Sequence, residues 1–310
     1  MTDAGRYTAM QHDHYENSDV PSEHVVGHYA WHEEFPYETL LLHDHGDLRY
    51  PVLPPERRRR ALDFGCGPGR MIPRMAKFFD QVDGVDIAPR LLADARAVVP
   101  ASTQLWATNG DDLGEAPQEA YDLVYCTVSF HHIAVWDVRM QILRHMQAAL
   151  RPGGVVTLQL GYRDAYPWVP VPHATYWTDA PMAGTPRRRL AARALERLGV
   201  QTLTSEGGRT TGFYRADPAE TALQLMRKDH QHASWRDNPY DATSTNSGMD
   251  ATISAETLPQ VAEDFRSVFG NFTCWFYDVS LAFADLRGAS HPSDHWHTHW
   301  IFLHARRPAD

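Results

Sequence analysis

The chain has few cysteines, no long apolar run and no excess of positive charge, and each shortage excludes a class of protein. Its 310 residues include only three cysteines, Cys66, Cys126 and Cys274. Their odd number and wide spacing argue against a disulfide framework and favour free thiols in a reducing compartment. The sequence shows no signal peptide and no apolar run long enough to cross a bilayer. We therefore predict a cytoplasmic protein without a membrane partner.

The charge balance is acidic, with 29 Lys and Arg against 39 Asp and Glu and a formal net charge of -10. A protein that binds a long nucleic acid needs a basic face, so the composition predicts no nucleic-acid partner. No HExxH or CxxC motif occurs, and the motifs predict no metal site. At this length we expect one large domain, or a core with a smaller cap.

The most informative segment is 61–88, which reads ALDFGCGPGRMIPRMAKFFDQVDGVDIA. An apolar strand ends at Asp63, a turn and a helix follow, and a second strand ends at Asp86. The glycines of the turn alternate, at Gly65, Gly67 and Gly69. Glycine lets backbone approach a ligand closely, and an acid at the end of the second strand can accept hydrogen bonds from ribose hydroxyls. The segment predicts a nucleoside-binding βαβ unit.

The spacing of the glycines distinguishes between nucleoside classes. The dinucleotide fingerprint G-x-G-x-x-G needs a third glycine where Arg70 stands here. The chain instead has D-x-G-x-G-x-G, beginning at Asp63. This pattern resembles motif I of the class I methyltransferases, which use S-adenosylmethionine. A phosphate-binding or NAD-binding Rossmann turn is the alternative interpretation.

Two later segments fall where this resemblance requires them. Residues 103–113 read as a third strand and a polar turn, where the resemblance implies contact with adenine through Asn109 or Asp111. Residues 121–133 read as a buried fourth strand followed by SFHHI, which is similar to a motif of small-molecule methyltransferases. The resemblance implies this cofactor-binding set: Asp63, Gly65, Gly67, Gly69, Asp86, Ile87, Asn109, Gly110, Asp111 and Thr127.

The candidate catalytic residues are His131 and His132, which follow the fourth strand where the reactive methyl group should lie. A neutral imidazole can take a proton from an acceptor hydroxyl or ammonium group at pH 7. The same pair could instead pack the methionine end of the cofactor or cap the next helix. The sequence leaves both roles open.

The fold implied is α/β, a seven-stranded, mostly parallel, Rossmann-like methyltransferase sheet. We divide the chain into a mobile polar N-terminus (1–20), a helical cap (21–60), a cofactor-binding core (61–163), an acceptor-specificity insertion (164–250) and the end of the core sheet (251–310). Helical spacing over 136–150 precedes RPGG, which predicts a helix stop before a fifth strand. A helix N-capped by Ser254 and two antiparallel strands close the sheet.

Two further patterns resemble functional motifs but favour ordinary turns and loops. DNPY at 237–240 resembles a motif of amino-group methyltransferases, but it lies in the insertion and predicts a turn. Three histidines alternate at His295, His297 and His299, and on a strand they would share one face. They could bind a metal or simply lie in a polar loop, and we favour the loop.

Together these patterns predict an S-adenosylmethionine-dependent methyltransferase acting on an oxygen or nitrogen of a small-molecule acceptor. A metal-assisted or carbon methyltransferase is one alternative. A catalytically silent member of the fold that only binds the cofactor is another. The sequence leaves a homodimer open.

Overall fold

In the computed structural model, the described residues are 3–17, 37–43, 51–162, 174–178, 204–205, 208–210, 231–238, 249–254, 257–278 and 299–309. The α-helices among them are α1 (Asp3–Glu16), α2 (Tyr37–Leu42), α3 (Ile72–Met75), α4 (Pro89–Ala95), α5 (Trp136–Ala149) and α6 (Leu258–Phe269). Short 3-10 helices span Pro55–Arg57 and Ser129–His132. None of the helices in the described part of the chain is long and apolar enough to span a bilayer.

The strands fall into a core group and a group contributed by the insertion. The core strands are β1 (Arg60–Phe64), β2 (Gln81–Asp86), β3 (Leu105–Ala107), β4 (Tyr121–Cys126), β5 (Leu150–Tyr162), β11 (Thr273–Asp278) and β12 (His299–Arg306). The insertion supplies β6 (Ala174–Thr178), β7 (Thr204–Ser205), β8 (Gly208–Thr210), β9 (Gln231–Ala233) and the first two residues of β10 (Met249–Ile253).

The core strands lie in the order β3-β2-β1-β4-β5-β12-β11, and β12 runs antiparallel to both of its neighbours. This open, mostly parallel sheet confirms the predicted Rossmann-like class. The strand order reverses between β1 and β4, and in such sheets ligands bind beside the carboxyl ends of the strands at the reversal. The insertion extends the sheet beyond the seven predicted strands, since β6 pairs with β11 and β8 pairs with β6.

Helices cover both faces of the sheet because its central strands are apolar on both sides; every residue of β4 is buried. On one face, α5 and α6 pack through residues such as Ile142, Leu143 and Phe265. On the other face, α2 and α3 pack through residues such as Leu41 and Met75. The three cysteines are free and buried within this core, as predicted.

The expected mobile N-terminus is wrong for residues 3–16, which form α1. The segment reads as polar, yet one side of the helix carries Tyr7, Thr8 and Gln11, all buried. Burial of that side against the core gives the helix a fixed place. The predicted helix from Ser22 lies outside the described residues, as do His295 and His297.

The structure also differs from the prediction at the end of α5 and at the beginning of α6. The helix α5 passes directly into β5, so RPGG lies inside the strand, where Gly153 adopts a φ of 73°. Ser254 does not cap α6: Thr257 holds that position. The Ser254 hydroxyl instead accepts the Thr257 backbone N–H at 3.1 Å and forms the turn before the helix.

Of the DNPY segment, in which a turn was predicted, the structure describes Asp237 and Asn238, which follow a turn at Trp235 and Arg236. The Asp237 carbonyl accepts the Trp136 backbone N–H at 3.1 Å, and Asn238 Oδ1 accepts that of Asp137 at 3.2 Å. Both N–H groups lie in the first turn of α5, where a helix leaves its backbone donors unpaired. The segment therefore caps α5 and stands apart from the sheet edge that carries the site.

Candidate cofactor and active site

A cavity of about 350 Å³ opens at the carboxyl ends of β1, β2 and β4, at the reversal of strand order. Its walls come from the glycine turn, the ends of these strands, the turn after β4 and helix α1. The lining is mostly apolar with a few polar groups, the character of a small-molecule site.

The glycine turn is folded back over β2 by backbone hydrogen bonds. The backbone N–H groups of Gly65 and Cys66 donate to the Val85 carbonyl at 2.8 and 3.0 Å. Gly65 has a φ of 69°, and a Cβ atom there would lie 2.4 Å from Ser129 Cβ. Ser129 also donates its hydroxyl to the Gly65 carbonyl at 2.8 Å. Only glycine fits at this position, between the turn and the chain that leaves β4.

Asp86 lines the cavity and also fixes the turn. Its Oδ2 accepts the Gly67 N–H at 2.7 Å, and its Oδ1 accepts the Ala88 N–H at 2.9 Å. Each carboxylate oxygen keeps further acceptor capacity toward the cavity. Burial raises the pKa of Asp86, and the backbone N–H groups of Ala88, Gly67 and Ile87 oppose that shift. The arrangement fits a ribose, whose hydroxyls can donate to such a carboxylate.

Asp63 lines the cavity and is 2 % exposed. Burial raises the pKa of this carboxyl to about 8, and the positive charge of Arg70 only partly opposes the shift. The neighbouring thiol of Cys66 also lines the cavity, but burial raises its pKa well above the usual range. Cys66 is therefore not a ready nucleophile.

The predicted cofactor residues divide into two groups. Those that line the cavity are Asp63, Gly65, Gly67, Asp86, Ile87, Gly110 and Thr127. Those that lie outside it are Gly69, Asn109 and Asp111. Gly69 instead packs against the end of α4, since a Cβ there would lie 2.8 Å from Val99 Cγ1.

Asn109 and Asp111 turn away from the cavity because other partners hold them. The Asn109 side chain is exposed and donates to Asp112 Oδ2 at 3.3 Å. Asp111 Oδ2 accepts from Gln141 on α5 at 3.2 Å. The residues of this turn that face the cavity are Thr108 and Gly110.

The two candidate catalytic histidines have different environments. His132 lines the cavity, whereas His131 is fully buried in the core beside it. Their ring centroids are 4.3 Å apart. Of the pair, His132 is the imidazole that a ligand in the cavity can reach.

Sequence reasoning missed the contribution of α1. Four of its residues line the cavity: Tyr7, Thr8, Gln11 and Tyr15. Their spacing of one, three and four residues places them on one side of a helix, and this was the available signal. The Tyr7 hydroxyl accepts the Ala134 N–H at 2.9 Å and donates to the His132 carbonyl at 3.1 Å, which ties α1 to the turn after β4.

Comparison with known proteins identifies the class. Residues 61–154 match a family model described as a methyltransferase domain. This segment contains β1 to β4, the glycine turn and both candidate histidines, and its cavity fits a nucleoside. The chain therefore contains a class I, S-adenosylmethionine-dependent methyltransferase domain.

Among relatives, the chain is 30 % identical over 144 residues to a trans-aconitate 2-methyltransferase of Rhizobium leguminosarum, covering 44 % of this chain and 54 % of the relative. It is 31 % identical over 102 residues to a ubiquinone biosynthesis O-methyltransferase of Xanthomonas campestris, covering 32 % and 41 %. The chain thus spans about half the length of these relatives or less.

Solved structures give weaker likenesses. A SAM-dependent methyltransferase of Leishmania major aligns with a TM-score of 0.41 and 19 % identity over 52 % of this chain and 62 % of that one. The DhpI–SAH complex aligns with a TM-score of 0.42 and 13 % identity over 99 % and 95 %.

Proposed function

We propose that the protein transfers a methyl group from S-adenosylmethionine to an oxygen or nitrogen atom of a small-molecule acceptor. The observation that carries the proposal is the cavity at the strand reversal, where the glycine turn and Asp86 meet the turn after β4. Relatives named as methylating trans-aconitate or acting in ubiquinone biosynthesis support a small-molecule acceptor.

Some residues of the cavity bind the cofactor, and others position the acceptor for methyl transfer. Asp86 accepts the ribose hydroxyls, and the Gly65–Gly67 backbone allows the ligand to lie close to the turn. S-adenosylmethionine supplies an electrophilic methyl group on its sulfonium sulfur. The chain must then hold the acceptor atom in line at about 3–3.5 Å and exclude water, and such positioning accounts for roughly 7–11 kcal/mol of a barrier.

His132 is the residue we assign to proton removal from the acceptor. It lines the cavity, and a neutral imidazole can accept a proton near neutral pH. We expect His132→Ala to lower kcat and to remove the fall in rate toward low pH that protonation of a general base causes. His131→Ala should chiefly lower stability, because His131 lies in the core. Equal turnover in wild type and His132→Ala would remove the histidine from the mechanism.

Calorimetry with S-adenosylmethionine, S-adenosylhomocysteine and NAD tests the cofactor assignment directly. We expect both sulfur ligands to bind and NAD to bind much more weakly. Methyl transfer is then measured as S-adenosylhomocysteine formation with a panel of small hydroxyl, amine and carboxylic acid acceptors. Tight NAD binding without a response to either sulfur ligand would overturn the proposal.

The remaining expectations about partners belong to the same proposal. We expect a small-molecule acceptor, a cytoplasmic location and no nucleic-acid or membrane partner. Sedimentation of the purified chain decides whether it forms a homodimer. Among the described residues no group of three potential metal ligands converges, and the His295–His299 hypothesis rests on residues mostly outside that part.

A further inference from the structure

Arg70 is a cation at the wall of the cavity with few partners of its own. Its Nη2 donates to Thr127 Oγ1 at 3.3 Å, and its Nη1 lies 3.4 Å from Met71 Sδ. Its Cζ lies 4.8 Å from the centroid of the Tyr37 ring. A guanidinium carries five N–H donors, and among the described residues the oxygen atoms that hydrogen-bond Arg70 are the hydroxyls of Thr127 and Tyr37.

The neighbouring Arg74 provides an internal comparison. Its Cζ also lies over the Tyr37 ring, at 5.6 Å from the centroid. Unlike Arg70, however, it forms an ion pair with Glu38, with Nε 2.5 Å from Oε1 and Nη2 2.5 Å from Oε2. Arg74 does not line the cavity. Its charge is therefore neutralised inside the fold, whereas that of Arg70 faces the cavity.

The carboxylates of the cavity do not neutralise Arg70. Asp86 is bound to the backbone N–H groups of Gly67 and Ala88. Asp63 forms no ion pair with Arg70 within 4.0 Å, and among the described residues no other carboxylate does. The charge of Arg70 acts on the pKa of Asp63 without a close ion pair between them, and a partly buried guanidinium in this position favours an anionic ligand.

The surroundings of Arg70 select the kind of anion. A guanidinium backed by an aromatic ring presents a flat pair of donors, which matches the two oxygens of a carboxylate. A phosphate would need several further donors, and the rest of the cavity wall is mostly apolar. The geometry thus favours one carboxylate held edge-on.

We propose that Arg70 is the carboxylate-recognising side chain of this site. The inference deepens the proposed function and rests on it. A carboxylate can reach Arg70 from two sources in a methyltransferase: the amino-acid tail of the cofactor, or an acceptor that is itself a carboxylic acid. The shared chemistry is a bidentate guanidinium–carboxylate pair.

Calorimetry on the full chain distinguishes the two sources. Wild type, Arg70→Gln and Arg70→Lys are titrated with S-adenosylhomocysteine and with 5′-methylthioadenosine, which lacks the amino-acid tail. Each protein saturated with S-adenosylhomocysteine is then titrated with mono-, di- and tricarboxylic acids, including trans-aconitate. Arg74→Gln is the matched control, because it removes an arginine from the same ring but outside the cavity. Circular dichroism confirms that each variant is folded.

If the cofactor tail is the ligand, Arg70→Gln weakens S-adenosylhomocysteine about tenfold or more and leaves 5′-methylthioadenosine unchanged. If the acceptor is the ligand, both nucleosides bind normally and Arg70→Gln abolishes carboxylic acid binding. Arg70→Lys keeps part of the affinity in either case, and Arg74→Gln matches wild type. Equal binding of every ligand by wild type and Arg70→Gln overturns the inference, whereas failure of wild type to bind either nucleoside overturns the proposed function instead.

Discussion

Asp86 joins two tasks in one side chain, because it faces the cavity and also holds the backbone of the glycine turn. Asp86→Ala should weaken S-adenosylhomocysteine binding by about 2–4 kcal/mol, since charge-assisted hydrogen bonds are lost and the turn is loosened. Calorimetry measures the change. Asp80→Ala is the control. Asp80 is an exposed carboxylate immediately before the first residue of β2, at the end of the strand away from the cavity. Normal binding by Asp86→Ala would exclude this strand end from the ribose site.

Val128 is a branched residue in a conformation that normally requires glycine. Val128 has a φ of 70° and a ψ of -50°, and the Ser129 N–H donates to the Thr127 carbonyl at 2.8 Å. These features define a γ-turn, which lies beside the cavity. Such strain costs of order 1–3 kcal/mol and is often stored at functional sites.

The strain at Val128 predicts an inverted order of stability between two small substitutions. Glycine ordinarily lowers stability relative to alanine by about 0.5–1 kcal/mol. Here we expect Val128→Gly to be at least as stable as Val128→Ala, because glycine adopts this φ without strain. Urea unfolding of both variants provides the measurement. The ordinary order, with alanine the more stable, would show that the turn is not strained in solution.

Asp63 gives the protein a pH dependence of stability with an unusual sign. Burial raises the pKa of its carboxyl in the folded chain to about 8 from an ordinary value of 3.8. The folded state therefore binds more protons than the unfolded state between these values, and the free energy of unfolding falls as pH rises from about 4 to about 8. Burial of Asp86 contributes with the same sign.

Asp63→Asn isolates this contribution, because the amide is neutral at every pH. We expect the variant to lose less stability than wild type between pH 5 and pH 8 in urea unfolding. The lowered pKa values of Glu38 and Asp112 act with the opposite sign, but only below about pH 4.5. Parallel stability profiles for the two proteins would contradict the raised pKa.

At the scale of elements, the Tyr7 hydroxyl connects helix α1 to the active-site turn after β4. The Tyr7 hydroxyl is the acceptor for the buried N–H of Ala134 and also accepts from Gln11 Nε2 at 2.8 Å. Tyr7→Phe should lower the free energy of unfolding by about 1–3 kcal/mol, because it leaves a buried donor unpaired. Asn17→Ala, in the exposed residue after the helix, should change it by less than about 0.5 kcal/mol. Chemical denaturation measures the stability of both variants. Equal stability of Tyr7→Phe and Asn17→Ala would show that the Tyr7 hydroxyl does not hold α1 against the core.

At the scale of the whole molecule, Asp264 connects the insertion to the helices of the core. The indole N–H groups of Trp136 and Trp235 donate to its Oδ2 at 2.8 and 2.7 Å, and Arg236 pairs with its Oδ1 at 2.6 Å. Arg139 lies buried beneath Trp235, with its Cζ 4.8 Å from the ring centroid. Segment 231–238 is thereby held against both α5 and α6.

Loss of Asp264 should therefore destabilise the protein without altering the cavity. We expect Asp264→Ala to lower the free energy of unfolding by about 2–4 kcal/mol, because several donors lose their acceptor. Binding of S-adenosylhomocysteine by the folded variant should match wild type. Glu263→Ala is the control, since Glu263 is exposed and pairs with the same Arg236 at 2.8 Å. Comparable stability of the two variants would remove Asp264 from the connection.

The sequence by itself determined the βαβ unit, the glycine turn and the acids Asp63 and Asp86. These are local: turn chemistry, strand patterning and the spacing between motifs fix them within a few dozen residues. For Gly65 the structure adds the reason, because its φ of 69° and the nearness of Ser129 exclude other residues. The order of the core strands followed from the resemblance that these motifs carry.

Only the tertiary structure decided which side chains share the cavity. Tyr7 meets the His132 carbonyl across 125 residues of sequence, and Arg74 meets Glu38 across 36. Burial separates His131 from His132, although the two are adjacent and chemically identical. Asn109 and Asp111 were predicted to face the ligand, but hydrogen bonds to Asp112 and Gln141 hold them away. Contacts between distant segments leave no periodic signal in a single sequence, and they determine which of its candidate residues can touch a substrate.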